Sequence, residues 1–285
     1  MKRRTGLYPV LAMLLAASSL ACAGESSAQP AAAATTDAGP VSPALSPGRK
    51  VALTNAGVVV FMTAWGYANW DYGQTDWHRT DEGWFGQSTK EGGADKAGHL
   101  YSTYVLGRSL SALFRHYGHE PDRAAFAGVA SAFGTMTLME LGDGYSPYGF
   151  SEEDAAMNLA GAGAAWLLEK NPQWDRRVAI RGEYHISRHA VTDFFTDYER
   201  WRYYLTLKLD GFDSLPEPLR WLELHAGYAA RGYSDADIRN DRRETFVGIG
   251  FSFSRLARES GWRRTGVLLD YFQPPHTTAR HEHVR

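Results

Sequence analysis

The hydrophobic pattern of this chain changes its period once, and that change requires two kinds of secondary structure. As far as Lys170 the apolar residues recur with a helical period, whereas from Tyr203 to Leu209 apolar and polar residues alternate. A helix and a half-buried strand each need their own period. We therefore predict an α+β fold: a small apolar bundle of about four helices, followed by a short antiparallel β-sheet of about four strands.

The predicted elements can be placed along the chain. Ser151 is a suitable N-cap for the last helix, and Asn171-Pro172 would end it. Small residues such as Gly128 and Gly161 predict close packing between the last two helices. The helical segments are 51–67, 95–117, 121–141 and 151–170, and the strand segments are 203–209, 222–228, 245–253 and 266–272.

Composition supplies the remaining boundaries. Residues 24–48 contain mainly Ala, Ser, Pro, Thr and Gly, too little apolar surface to fold. The three histidines after residue 275 have no partner ligands nearby, so a solvated tail is favoured over a metal site there. The predicted organisation is a signal peptide (1–23), a disordered linker (24–48), a helical bundle domain (49–175), an antiparallel β region (176–275) and a tail (276–285).

The N-terminus has the features of a bacterial export signal. Residues 2–4 are basic, residues 7–20 are apolar, and small residues follow. Cys22 is the only cysteine of 285 residues, so no intramolecular disulfide can form. Leu20-Ala21-Cys22 resembles a lipobox, which predicts lipid attachment at Cys22; ordinary signal cleavage is the alternative. Because Ala23 is not an aspartate, a lipidated chain would be anchored to the outer membrane.

Charge and hydropathy narrow the range of partners. The formal net charge is −2, so the chain lacks the basic excess that would hold a nucleic acid backbone. Segment 51–67 has about the length at which a bilayer-spanning helix and a buried core helix are both allowed. We therefore predict no nucleic acid partner and expect a membrane or lipid surface.

Polar residues recur at fixed positions within the apolar helices. Asp95 and His99 are four residues apart, as are Asp154 and Asn158, so each pair shares a helical face. Lys96 is adjacent to Asp95 in the sequence. Glu140 lies at the end of an apolar run, where an unpaired carboxylate would be costly. If the three helices are neighbours, the side chains converge at one end of the bundle; the candidate cluster is Asp95, Lys96, His99, Glu140, Asp154 and Asn158.

Three interpretations of this cluster remain open. It is a hydrogen-bond lock between helices, a catalytic or substrate-binding site, or a divalent metal site with Asp95, His99, Glu140 and Asp154 as candidate ligands. One histidine is a small ligand set for zinc, so a metal is not favoured and the cofactor is left unknown. The sequence contains no nucleophile motif and no phosphate-binding Gly-rich loop.

The motif that carries these residues resembles a known family. The YfiM-type predicted periplasmic lipoproteins, a domain family of unknown function, are similar over about residues 95–170, and the longer members continue into strands. The same order of residues is similar to VanZ-like membrane proteins, which are implicated in teicoplanin resistance, and this implies work on the envelope or on lipid-linked molecules. The matching residues are Asp95-Lys96-Ala97-Gly98-His99-Leu100-Tyr101-Ser102, Glu140, Gly149-Phe150-Ser151, Asp154, Asn158 and Gly161.

Three functional hypotheses follow. The first is a cell-envelope lipoprotein that acts as a structural or binding module at a membrane surface. The second is an enzyme acting on a lipid or cell-wall intermediate, with His99 as base or ligand and Glu140 and Asp154 as carboxylates. The third is a multi-span membrane protein, against which Arg108 and Arg115 weigh because charges near the centre of a helix are expensive in lipid.

Overall fold

The computed structural model describes residues 45–185, 193–233 and 241–285. The predicted signal peptide (1–23), the lipidation site Cys22 and most of the predicted linker lie outside these residues. The described part combines helices with an antiparallel sheet, which confirms the predicted α+β class.

Four long helices form the first half of the described chain. Ser151 caps the fourth of them as predicted, since its Oγ accepts a hydrogen bond from the backbone N–H of Asp154 at 3.2 Å. Pro121 lies in the first turn of the third, where its missing N–H costs nothing. The four are α1 (Pro47–Asn69), α2 (Ala94–His116), α3 (Pro121–Asp143) and α4 (Glu152–Lys170), and the short helices are α5 (Pro172–Arg177), α6 (Phe253–Glu259) and α7 (Arg263–Leu268).

Glycines let the neighbours of α2 approach its backbone. A Cβ atom on Gly161 of α4 would lie 2.2 Å from the carbonyl oxygen of Leu100 in α2. One on Gly128 of α3 would lie 2.3 Å from the backbone nitrogen of Ser111. Because no larger residue fits at either point, α2 is clamped between α3 and α4, and polar groups near these contacts are held at fixed distances.

Helix α1 is apolar but barely covered. Within the described residues, α1 and α3 are the two helices that are long and apolar enough to cross a membrane, by length and composition. Only 6% of the apolar window of α1 is buried, against 44% for α3. Leu53 and Val60 on its outer face are 60% and 67% exposed. Helix α1 therefore presents an apolar surface outwards.

The second half of the described chain forms a five-stranded antiparallel sheet in which each strand pairs with the next along the chain. A short parallel pair, β1 (Arg79–Thr80) with β2 (Phe150–Ser151), lies beside the bundle. The five strands are β3 (Val178–Tyr184), β4 (Trp201–Lys208), β5 (Leu222–Arg231), β6 (Arg242–Phe251) and β7 (Thr278–Val284).

The predicted strands need three corrections. Segments 203–209, 222–228 and 245–253 correspond to β4, β5 and β6, but segment 266–272 is not a strand: it contains the end of α7 and the turn after it. Strand β3 was not predicted. Residues 276–285, expected to be a tail, contain β7. Both missed strands carry charged residues at alternate positions, so the apolar alternation that signals a strand is weak in them.

The two faces of the sheet have the reverse of the usual polarity. Arg181, Glu183 and Glu223 are buried on one face, where α6 and the segment after α7 cover them. On the other face Val247 and Ile249 are 61% and 52% exposed. Near one end this outer face packs on α2; farther along the strands its apolar side chains have no cover within the described residues. The outer face of the sheet therefore presents an apolar surface.

A buried histidine in the sheet makes stability depend on pH. The Nδ1 atom of His225 lies 3.0 Å from Oγ1 of Thr206, and burial lowers the pKa of His225 to about 4, with Glu223 opposing the shift and Arg181 adding to it. Its contribution to stability is present above the unfolded pKa of about 6.5 and is lost as the pH falls towards 4. We expect a loss of up to about 3 kcal/mol.

Urea unfolding at pH 7.5 and pH 4.5 measures this effect when wild type is compared with His225→Gln. Other groups titrate in the same range, so the difference between the two proteins isolates His225. The pH dependence of the variant should be smaller. An equal loss of unfolding free energy between pH 7.5 and pH 4.5 in the two proteins would contradict the assignment to His225.

Candidate functional site

Polar side chains from α2, α3 and α4 meet at one end of the bundle. The Nδ1 atom of His99 lies 3.1 Å from Oε1 of Glu140 and 3.3 Å from Oδ1 of Asn158. Its Nε2 atom lies 3.9 Å from Oδ1 of Asp154. Thr103, one turn along α2, places its hydroxyl 2.9 Å from the same oxygen of Asn158. The structure thus brings three helices together around one imidazole.

Helical spacing explains this convergence. Asp154 and Asn158 face α2 because they share a face of α4 with Gly161, whose contact with Leu100 holds the two backbones together. Glu140 lies in the last turn of α3 and reaches the same point from the third side. All of these side chains are buried, so their distances are set by the packing of the helices.

A buried ammonium group occupies the neighbouring position. Lys96 is fully buried, and its Nζ donates hydrogen bonds to Glu82 Oε2 at 2.6 Å, Asp95 Oδ2 at 2.8 Å and Asp154 Oδ2 at 3.1 Å. The three protons of the ammonium group therefore serve three carboxylates. Asp154 links this group to His99, and the two sets form one continuous cluster.

The pKa values of the carboxyl groups in the cluster are shifted in different directions. Burial would raise the pKa of Glu82, but the hydrogen bond and charge of Lys96 outweigh it and lower the pKa to about 2. Burial raises the pKa of Asp95 to about 6, against the opposing charge of Lys96. Burial and the neighbouring Asp154 raise the pKa of Asp143 to about 7 and hold that of Glu140 well above its usual range. Negative charge exceeds positive charge here.

The cluster opens into a cavity of about 630 Å³. One end is lined by the ionisable groups, which include Glu91 as well as the members described above. The other end is lined by apolar side chains of three helices: Val58, Phe61 and Met62 of α1, Leu106, Leu110 and Leu113 of α2, and Met136 and Met139 of α3.

The cavity follows α2 for most of the length of that helix. His99, Ser102, Leu106, Ser109 and Leu113 line it at helical spacing. The rise between His99 and Leu113 is roughly 21 Å at 1.5 Å per residue. A polar end and an apolar channel are therefore joined in one long pocket, whose volume lies in the range of small-molecule sites.

All six sequence-predicted residues belong to the cluster, and sequence reasoning missed two others. Glu82 and Glu91 come from the segment between α1 and α2, for which the sequence predicts no helix or strand. A loop residue has no periodicity that would aim it at a helix. The excess of Trp, Asp and Gly in that segment was the only signal, and it did not single out these carboxylates.

Two groups of side chains have the composition and spacing of cation sites. His99, Glu140 and Asp154 form the first, and Glu82, Asp95 and Asp154 the second, each with ligand atoms within 4.8 Å of one another. The second group already surrounds the Lys96 ammonium. The first group shares Asp154 with that ammonium, and its Glu140 lies beside His99.

Comparison with known proteins agrees with the motif. Residues 81–170 match the model of the family described as predicted periplasmic lipoprotein (DUF2279), a family of unknown function, and this confirms the resemblance predicted from the motif. Searches of curated proteins and of solved structures found no match to this chain. The match includes Glu82, α2, α3 and α4, and so all the residues of the cluster. Residues 81–170, which include α2, α3 and α4, are thus similar to a predicted periplasmic lipoprotein family, and this similarity supports export to the periplasm.

Proposed function

We propose that this protein is an envelope lipoprotein that holds one amphipathic lipid-like molecule at a membrane surface. A single observation carries the proposal: one pocket of about 630 Å³ joins an apolar channel to a cluster of ionisable groups. A ligand with a hydrocarbon chain and a polar head group matches both ends. Half of a bilayer core is about 15 Å thick, so the channel accommodates a single acyl chain.

The outer surface supports placement at a membrane. Helix α1 exposes Leu53 and Val60, and α3 and α4 add Leu138 and Leu159. Apolar side chains on neighbouring helices would enter the interfacial region of a bilayer. A lipid on Cys22, which precedes α1 by the predicted linker, would keep the domain near a membrane, and Ala23 favours the outer membrane.

The interior of the bundle argues against the multi-span alternative. Arg108 of α2 pairs with Glu169 at 3.0 Å and with Asp175 at 2.9 Å, and Arg115 also contacts Glu169. These ion pairs link α2 to α4 and α5, and α2 also packs on the sheet. The protein therefore offers α1 and the outer faces of α3 and α4 to lipid, while α2 is enclosed by protein.

Filling the channel tests the proposal. Val58 lines the apolar part of the pocket, whereas Val60, two residues along α1, points outwards. Val58→Trp should reduce the lipid recovered with the purified protein by about tenfold or more, because an indole occupies the volume of the acyl chain. Val60→Trp is the matched control and should retain the wild-type amount. The measurement is mass spectrometry of lipids extracted from each protein after purification in detergent.

Equal lipid recovery from the two variants, or no lipid from wild type, would refute the proposal. Thermal unfolding of both variants shows whether a loss of lipid is caused by misfolding. A Val58→Trp protein that melts near the wild-type temperature and lacks lipid has lost the ligand site and not the fold.

A second candidate, an enzyme acting on the bound lipid, is favoured by the pairing of His99 with Glu140 at 3.1 Å. An imidazole close to a carboxylate in a pocket is a candidate general base. The lipid recovered with His99→Asn decides between the two candidates. An enzyme would accumulate an unprocessed molecule of different mass in the variant, whereas a binding protein would yield the same molecule as wild type.

A further inference from the structure

We propose that His99, Glu140 and Asp154 bind one divalent transition-metal cation at the polar end of the pocket, and Zn²⁺ is the probe that tests the site. These ligands come from three different helices, and each is buried. The proposal does not depend on lipid binding, because all three ligands are supplied by the protein.

One pair of ligand atoms already has the spacing of two ligands of a shared ion. Zinc bonds to nitrogen and oxygen are about 2.0–2.2 Å long, which keeps adjacent ligand atoms roughly 3–3.5 Å apart. Nδ1 of His99 and Oε1 of Glu140 are 3.1 Å apart, and the ligand atoms of the three residues all lie within 4.8 Å of one another. The carboxyl groups are thus already gathered around the imidazole.

Glu140 gives a second, independent reason to expect a cation at this point. This side chain is 1% exposed and lines the pocket, and its Oε1 atom accepts no hydrogen bond from the residues that the structure describes. Its proximity to His99 is a contact between two side chains without hydrogen-bond geometry, the relation expected of two ligands of one ion. A buried acceptor without a donor is costly, and a cation at this point would satisfy it.

The excess of carboxylates over cationic side chains in the cluster also favours a bound cation. Glu82, Asp95, Asp154 and Glu140 contribute four carboxylates, and Lys96 contributes one ammonium group. A divalent cation would offset most of the excess. Lys96 contacts Asp154, Asp95 and Glu82, so its single charge is shared among three of the four carboxylates.

A further shell of contacts orients the imidazole. Asn158 Oδ1 lies 3.3 Å from Nδ1 of His99 and is held by the hydroxyl of Thr103 at 2.9 Å. Asn158 approaches the same ring nitrogen as Glu140 does, so it limits rotation of the imidazole from beside the proposed ion. Three protein ligands leave a coordination position open. Since all three line the pocket, a ligand in the pocket would reach that position, and this last step rests on the proposed function.

The experiment uses the full protein purified in detergent, stripped with EDTA and dialysed. Titration calorimetry with Zn²⁺ alone should give one site per chain. Glu140→Gln and His99→Gln should each weaken it by more than about 100-fold, and Asn158→Ala by about 10–100-fold. His281→Gln combined with His283→Gln removes two exposed histidines of β7 and should leave the affinity unchanged.

Co²⁺ gives an independent measurement. A cobalt ion bound to nitrogen and oxygen ligands in this site should show visible absorption in wild type, and displacement by Zn²⁺ should abolish that absorption. Absence of a stoichiometric site in wild type, equal affinity in Glu140→Gln, or loss of binding in the β7 variant would overturn the metal site.

The lipid measurement separates this inference from the proposed function. Lipid recovered from a protein that binds no Zn²⁺ overturns only the metal site. A Zn²⁺ site in a protein that carries no lipid supports the metal site and overturns lipid binding.

Discussion

Replacing Lys96 by methionine is expected to lower the free energy of unfolding by about 3–5 kcal/mol. The fully buried ammonium group contacts Glu82, Asp95 and Asp154 at 2.6, 2.8 and 3.0 Å. Methionine has similar length but no charge, so it would leave three carboxylates close together without a cation. Removing one partner of a buried ion pair is costly because the remaining charge cannot be solvated.

Lys90→Met is the matched control. Lys90 also pairs with Glu82, at 3.3 Å, but its side chain is 43% exposed. Exposed pairs contribute about 0–1 kcal/mol, so this variant should unfold close to wild type. Urea denaturation of the three proteins gives the comparison. A Lys96→Met variant as stable as Lys90→Met would show that the cluster is not held together by its ammonium group.

Replacing Arg181 by methionine should cost a similar amount, about 3–5 kcal/mol. Arg181 makes a two-pronged pair with Glu223, with nitrogen–oxygen distances of 2.6 and 2.9 Å, and both side chains are buried in the sheet. Ser252 also donates to Glu223, at 2.9 Å, and Gln273 accepts from Arg181, at 3.0 Å. The variant would leave the Glu223 carboxylate buried without its guanidinium.

The double variant Arg181→Met with Glu223→Leu distinguishes a broken pair from a packing defect. Replacing both partners by apolar side chains removes the uncompensated charge, so more than half of the lost stability should return. Arg176→Met, which breaks the exposed pair with Asp213, is the control and should change stability by at most about 1 kcal/mol. A double variant less stable than Arg181→Met would contradict this account.

The sequence predicted the elements whose buried side is apolar. Helices α2, α3 and α4 show helical periodicity and a capping serine at Ser151, and the structure has them close to the predicted positions. Strand β3 was missed because Arg181 and Glu183 point into the protein. Periodicity assumes that buried side chains are apolar, and this sheet buries ion pairs instead.

The same reasoning explains what could be predicted of the site. Asp95, His99, Asp154 and Asn158 were identifiable because helical spacing puts them on shared faces, and the structure brings them together. Glu82 comes from a loop fourteen residues before Lys96, where no period relates position to direction. The cavity is a property of how α1 packs against α2 and α3, and no single segment encodes it.

The last strand determines how this protein behaves when many copies are crowded together. Strand β7 forms an edge of a sheet whose outer face is apolar, and an apolar sheet with a free edge invites strand-to-strand growth into fibres. Arg280, His281, Glu282 and His283 place ionisable side chains along that edge. Another sheet would have to desolvate these groups to add a strand. The charged edge therefore opposes strand-to-strand polymerisation of the protein.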